Sequence, residues 1–239
     1  MKLLLLIGWF MLFSGEPGKN TEATGKQVNI LFVGNSLTYY NQLPEMIKEL
    51  ALQDSVTVTY TAHCYPDYAL DDHWKDGKIQ KEIKSGKYQF VVAQQGPSAL
   101  PESQQMLLDA VKKLSRLCKK NNTRLALYMV WPARQHLFNL DKVIESYTRA
   151  ATETGSLLCA AGTAWKNAWA EQPETALYGN DGFHPSPQGS LLAALTIYGT
   201  LLEKKELNFF TRNITGVTLS AEEMNRFKRL AGAVLAAKQ

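Results

Sequence analysis

The chain has 239 residues, 45% of them apolar and 20% charged, which suits one domain with a sizeable core and excludes a disordered or fibrous protein. Its formal net charge of +4 is spread over interspersed lysines and glutamates, so no basic stripe offers itself to a nucleic acid. Three cysteines, Cys64, Cys118 and Cys159, exclude a fully paired disulfide framework, and no ligand spacing around them suggests a metal.

Met1-Lys2 followed by the apolar run Leu3 to Phe13 has the charged start and apolar centre of a secretory signal, too short to span a bilayer comfortably. Residues 15–26 are polar and glycine-containing, as in a flexible lead-in. Residues 1–26 are therefore read as a signal peptide or N-terminal anchor, and 27–239 as a single domain. Such a protein is secreted or periplasmic, and it meets a membrane only through that anchor if the anchor is retained.

The first strand is Val28-Asn29-Ile30-Leu31-Phe32-Val33, apolar and largely β-branched, stopped by Gly34-Asn35-Ser36. Ser36 thus stands just beyond a strand's carboxyl end, where open parallel α/β sheets bind ligands. Pro44 to Leu50 starts the first helix, with proline suited to its first turn. Val56 to Thr61 reads as a second strand, leading into the polar and aromatic loop His63 to Trp74. Residues 74–85 read as a helix ended by Gly86, and Tyr88 to Ala93 as the third strand. The amides of Gln94 and Gln95 follow it, placed to donate N–H toward a developing negative oxygen.

Pro101 to Lys120 has the apolar spacing of a long amphipathic helix, and Leu125 to Val130 is the fourth strand. Trp131 and Arg134 come next, at the same sheet edge as Ser36. They fit either a substrate pocket, the indole stacking on a sugar and the guanidinium meeting an acid, or a lid over the core. Asp141 to Thr154 is helical, Ser156 to Ala161 is a short fifth strand, and Trp165 and Trp169 sit at packing distance on the helix after it. Tyr178 to Ser190 forms a glycine- and proline-marked turn holding Asp181 and, three residues later, His184. The apolar run Leu191 to Leu202 and a capped helix from Ser220 to Lys238 close the chain.

A serine hydroxyl is a weak nucleophile until an imidazole takes its proton and a carboxylate orients that ring. Ser36, His184 and Asp181 supply the three groups. Gly34-Asn35-Ser36-Leu37 resembles the Gly-Asp-Ser-Leu block of the SGNH (GDSL-like) hydrolases, and Asp181-Gly182-Phe183-His184-Pro185 resembles their closing Asp-x-x-His block. Gln95-Gly96-Pro97-Ser98 is most similar to the Gln-Gly-Glu-Ser pattern of the sialate and xylan acetylesterase branch. The resemblance implies a three-layer α/β sandwich whose five-stranded parallel sheet has the flavodoxin-like order 2-1-3-4-5.

The resemblance also implies a serine esterase that hydrolyses acyl esters, acetyl groups on carbohydrate in particular, through Ser36, His184 and Asp181 and an acyl-enzyme. Its oxyanion would be held by the Ser36 backbone N–H, by Gln95 with Gln94 in reserve, and by a donor at Asp67 or Cys64, where the family carries a glycine. Asn35, Gln94, Trp131 and Arg134 are the residues expected to meet substrate. Neither a metal nor an organic cofactor is called for, and the partner is a small-molecule or glycan ester. The rival readings are an acyltransferase of the same fold and a catalytically impaired glycan-binding module.

Overall fold

The computed structural model describes residues 25–237, so the expected leader falls almost wholly outside the described residues. Five parallel strands form one sheet in the order 2-1-3-4-5, the order that the family resemblance implies: β1 Lys26–Gly34, β2 Val56–Cys64, β3 Phe90–Ala93, β4 Arg124–Tyr128 and β5 Leu157–Cys159. β1 lies between β2 and β3, with Gly34 opposite Cys64 and Val33 opposite Ala93. Buried on both faces, β1 needs the unbroken apolar run Ile30 to Val33, all four residues fully buried.

The helices are α1 Ser36–Tyr39, α2 Leu43–Gln53, α3 Leu70–Asp76, α4 Lys78–Lys84, α5 Pro101–Lys120, α6 Leu140–Thr154, α7 Ala161–Glu171, α8 Pro187–Leu201 and α9 Ala221–Ala236. α2 packs on α8, which α7 and α9 also cover, while α5 meets α3, α4 and α6. The helices thus fall into two groups about the sheet, and right-handed crossovers between parallel strands produce that arrangement. α8 is buried all round from Gly189 to Leu201, which its apolar composition requires. Each of its fully buried Leu or Ile side chains contributes about 1.5–3 kcal/mol through removal from water.

Three local features depart from the sequence reading. The single helix expected over 74–85 is two, α3 and α4, divided at Gly77, whose φ of 72° no helix accommodates. Ser36 belongs to a short helical turn of its own, separated from α2 by a kinked turn at Tyr40–Gln42. β4 ends at Tyr128 and β5 spans three residues, both shorter than their apolar runs; the Met129 N–H still donates to the Cys159 carbonyl at 3.0 Å, and Val130 and Trp131 beyond it are buried.

Candidate active site

Gly34 ends β1 at the sheet edge where the loops after β2, β3 and β4 also emerge. A Cβ on Gly34 would lie 2.5 Å from Gln94 Oε1 and 2.6 Å from Thr38 Oγ1, so only glycine fits the turn. Asn35 caps α1, its side-chain oxygen accepting the Leu37 N–H at 3.1 Å, while its amide donates to the Tyr68 carbonyl at 3.2 Å. Ser36 is thereby presented at the first position of α1.

The Gly34 carbonyl is gripped from behind. His73 Nε2 lies 2.8 Å from it and the Tyr65 N–H 3.2 Å. The ring of His73 is buried against Tyr65 and Tyr68, and that burial depresses its basicity below the ordinary histidine range. A neutral His73 donating through Nε2 satisfies the carbonyl.

The second segment is the turn between Leu177 and α8. Tyr178 bridges to Pro185, and Gly179 N–H donates to the His184 carbonyl at 2.8 Å. Asp181 Oδ1 accepts the backbone N–H groups of Phe183 and His184, each at 2.9 Å. Its Oδ2 lies 2.6 Å from His184 Nδ1, and His184 Nε2 lies 2.9 Å from Ser36 Oγ. With the proton assigned to Nδ1 by this network, Nε2 is free to accept from the serine hydroxyl. The His184 ring, followed by the two backbone donors, holds the Asp181 carboxyl below the usual carboxylate range.

Two neighbours of this array were not singled out by sequence. Tyr40 stacks on the His184 ring, centroids 4.4 Å apart and planes within 15°. Asn41 donates from its side chain to the Pro185 carbonyl at 2.8 Å and to Ser190 Oγ at 2.9 Å, joining the Ser36 segment to the His184 segment. The signal that could have drawn notice is the run Tyr39-Tyr40-Asn41-Gln42, aromatic and polar just before a helix start.

Other residues expected at the site have different work. Gln94 is fully buried: its Oε1 accepts from the Asn35 N–H at 3.0 Å and the Thr38 hydroxyl at 2.9 Å, and its Nε2 donates to the Gln95 carbonyl at 2.6 Å. Gln95, only 5% exposed, accepts the Leu70 N–H and donates to Ser98 Oγ, with Tyr147 bonded to its backbone. Both amides tie β3 to its surroundings and neither is presented as an oxyanion donor, a correction to the reading of Gln95 and Gln94. Asn35, part-exposed beside Ser36, has the cap and the Tyr68 carbonyl as its side-chain partners.

Trp131 is a core residue, fully buried and stacked on Trp165 at 3.3 Å, its Nε1 donating to the Phe183 carbonyl. A stacking platform for sugar is therefore ruled out at Trp131, which instead supports the His184 turn from beneath. Arg134 is exposed, its guanidinium 5.2 Å above the Tyr178 ring and its backbone N–H donating to the Gly182 carbonyl at 2.7 Å.

Asp67 adopts a φ of 60°. It is the third residue of a turn closed by the Tyr68 N–H on the Tyr65 carbonyl, with Pro66 second, the pattern of a type II turn. That third position calls for glycine or a residue tolerant of the left-handed region, and Asp is such a residue. Cys64, the other candidate for the glycine position, still lies within β2 opposite Gly34, and burial pushes its thiol up to about 12, which removes it as a thiol nucleophile. Among the described residues no group of three or more His, Cys, Asp or Glu side chains is placed to hold a metal ion.

The fold and the Ser–His–Asp geometry define a serine hydrolase of the three-layer α/β kind. No family model and no curated protein matches the sequence. Among solved structures, the chain is similar to a candidate SGNH hydrolase from Slackia heliotrinireducens, with 28% identity, a TM-score of 0.62, and coverage of 74% of this chain and 100% of that one. A DUF4886 family protein from Bacteroides uniformis shares the fold over 90% of this chain and 97% of its own, at 16% identity and a TM-score of 0.74. The lipase/acylhydrolase from Enterococcus faecalis does so over 72% and 93%, at 16% identity and a TM-score of 0.56. The chain belongs to the SGNH hydrolase superfamily.

Proposed function

We propose that this protein is an exported serine esterase that removes acyl groups, acetyl in particular, from carbohydrate. The observation that carries the reading is the unbroken line from Asp181 through His184 to Ser36, at 2.6 and 2.9 Å. In this mechanism Ser36 Oγ attacks the ester carbonyl as His184 Nε2 takes its proton, and Asp181 steadies the imidazolium that forms. The tetrahedral oxyanion is held by the Ser36 backbone N–H and by a backbone donor in the Asp67 turn. His184 then returns the proton to the leaving alcohol. A water, deprotonated in turn by His184, attacks the acyl-enzyme, and the acid and free Ser36 result.

The acetyl and carbohydrate parts of the reading are supported by the third-block resemblance to the acetylesterase branch, and export by the leader-like composition of residues 1–26. An impaired, glycan-binding protein is the second reading, favoured by the engagement of Gln94 and Gln95 in structural bonds.

A fluorophosphonate probe separates the two readings: the adduct is expected on the peptide containing Ser36. Ser36→Ala is expected to lower p-nitrophenyl acetate hydrolysis by roughly a thousandfold or more, as removal of a triad nucleophile does. A Ser36→Ala protein with wild-type turnover, and no adduct on the native protein, would leave only the binding reading.

A further inference from the structure

A groove of about 860 Å³ opens beside the Asp181 turn, lined among others by Arg134, Gln135, Tyr178, Asn180, Asp181 and Phe183. We propose that it binds the sugar of the ester, the alcohol half of the substrate, an inference that rests on the esterase reading.

The chemistry of the reaction sets the direction. The leaving oxygen must collect its proton from His184 Nε2, so the alcohol lies on the His184 side of Ser36. Tyr40 covers one face of that imidazole, and the Phe183 ring stands edge-on at 5.1 Å. Continuing outward from Ser36 past His184 leads to Asp181, whose turn forms the groove wall. Neither Ser36 nor His184 lines the groove, so only an alcohol long enough to pass the His184 ring would reach it.

The lining suits a carbohydrate. Arg134, Gln135 and Asn180 are exposed, and none of their side-chain nitrogens or oxygens takes part in a hydrogen bond or ion pair among the described residues. Arg134 is nonetheless held in place, its guanidinium over the Tyr178 ring and its backbone fixed to Gly182. It offers a fork of donors matched to neighbouring hydroxyls, and the two amides add both donors and acceptors. Phe183, half-buried, supplies an aromatic surface for the apolar face of a sugar ring. The apolar remainder of the lining, Ala133, Ala176 and the Tyr178 and Phe183 rings, suits the carbon faces of sugar rings, while the three polar side chains would be left unpaired by a long acyl chain.

The test compares acetylated xylo-oligosaccharide with p-nitrophenyl acetate, whose alcohol is one small ring. The measured quantity is the ratio of kcat/KM for the two substrates, which is independent of the fraction of enzyme correctly folded. Arg134→Ala and the double change Gln135→Ala with Asn180→Ala are each expected to lower that ratio about tenfold, the loss of one or two hydrogen bonds. A ratio equal to wild type in both proteins would overturn the proposal. So would a native enzyme that cleaves p-nitrophenyl acetate and no acetylated glycan, in which case the esterase reading stands. Failure on both substrates would remove the esterase reading and this inference with it.

Discussion

Asn41 occupies an unusual position for a polar residue: its φ is 50° and that of Gln42 after it is 56°, two consecutive left-handed residues without a glycine. Such conformations cost on the order of 1 kcal/mol each and persist where the surroundings enforce them. What enforces this pair is the reach of the Asn41 side chain to Pro185 and Ser190, across 144 and 149 positions of sequence. The same kink turns Tyr40 onto the His184 ring. Asn41→Ala is therefore expected to lower kcat for p-nitrophenyl acetate about tenfold with little change in KM, since a displaced base costs turnover before it costs binding. Asn41→Gly relieves the backbone while removing the same bonds, and a kcat equal to that of Asn41→Ala would assign the loss to the side chain. The run Tyr39-Tyr40-Asn41-Gln42 marks the spot as unusual without naming the clamp's partners, which lie on a turn that only the folded chain brings near.

Among the elements, the turn after β2 is the one most exposed to a change of residue. Its type II geometry puts Asp67 where glycine is the usual occupant. Asp67→Gly is expected to keep hydrolysis within about twofold of wild type, whereas Asp67→Val, β-branched at positive φ, is expected to lose about 1–3 kcal/mol in urea unfolding. The strands and both motif ends were legible because each rests on a local pattern: Ile30 to Val33 as a buried run, Gly34 as a stop, Asp181 and His184 three apart in a marked turn; the sheet order followed only from the family resemblance. The roles of Gln94, Gln95 and Trp131 were not. An amide or an indole at a strand's end looks the same whether it faces substrate or core. Here Thr38 and Ser98 claim the amides, and Trp165 the indole. The helix break at Gly77 was hidden for a different reason, since a single glycine within a helical pattern is as often tolerated as not.

Across the described residues, acidification acts in one direction through several groups, the surface carboxylates of Glu45, Asp71, Glu153, Glu171 and Glu223 among them, and two more, His73 and Asp181, stand at the site. Burial depresses the basicity of His73 in the folded state, so the unfolded chain binds the extra proton first. Stability on this account is full above the unfolded value of about 6.5 and falls as pH drops below it. Asp181 is depressed by its bond to His184, so its contribution is full above about pH 4 and is lost on further acidification. Urea midpoints measured from pH 8 to pH 3 are expected to decline in both windows, and His73→Gln should flatten the upper one. A His73→Gln protein with an unaltered upper window would assign that decline elsewhere.

On the proposed mechanism the nucleophile enters at residue 36 and its base only at residue 184, so a growing polypeptide would carry the reactive hydroxyl long before anything could ionise it. Fragments, stalled products and partly folded intermediates are consequently inert toward esters, and turnover itself becomes a gauge of how much of a preparation has closed into its final shape.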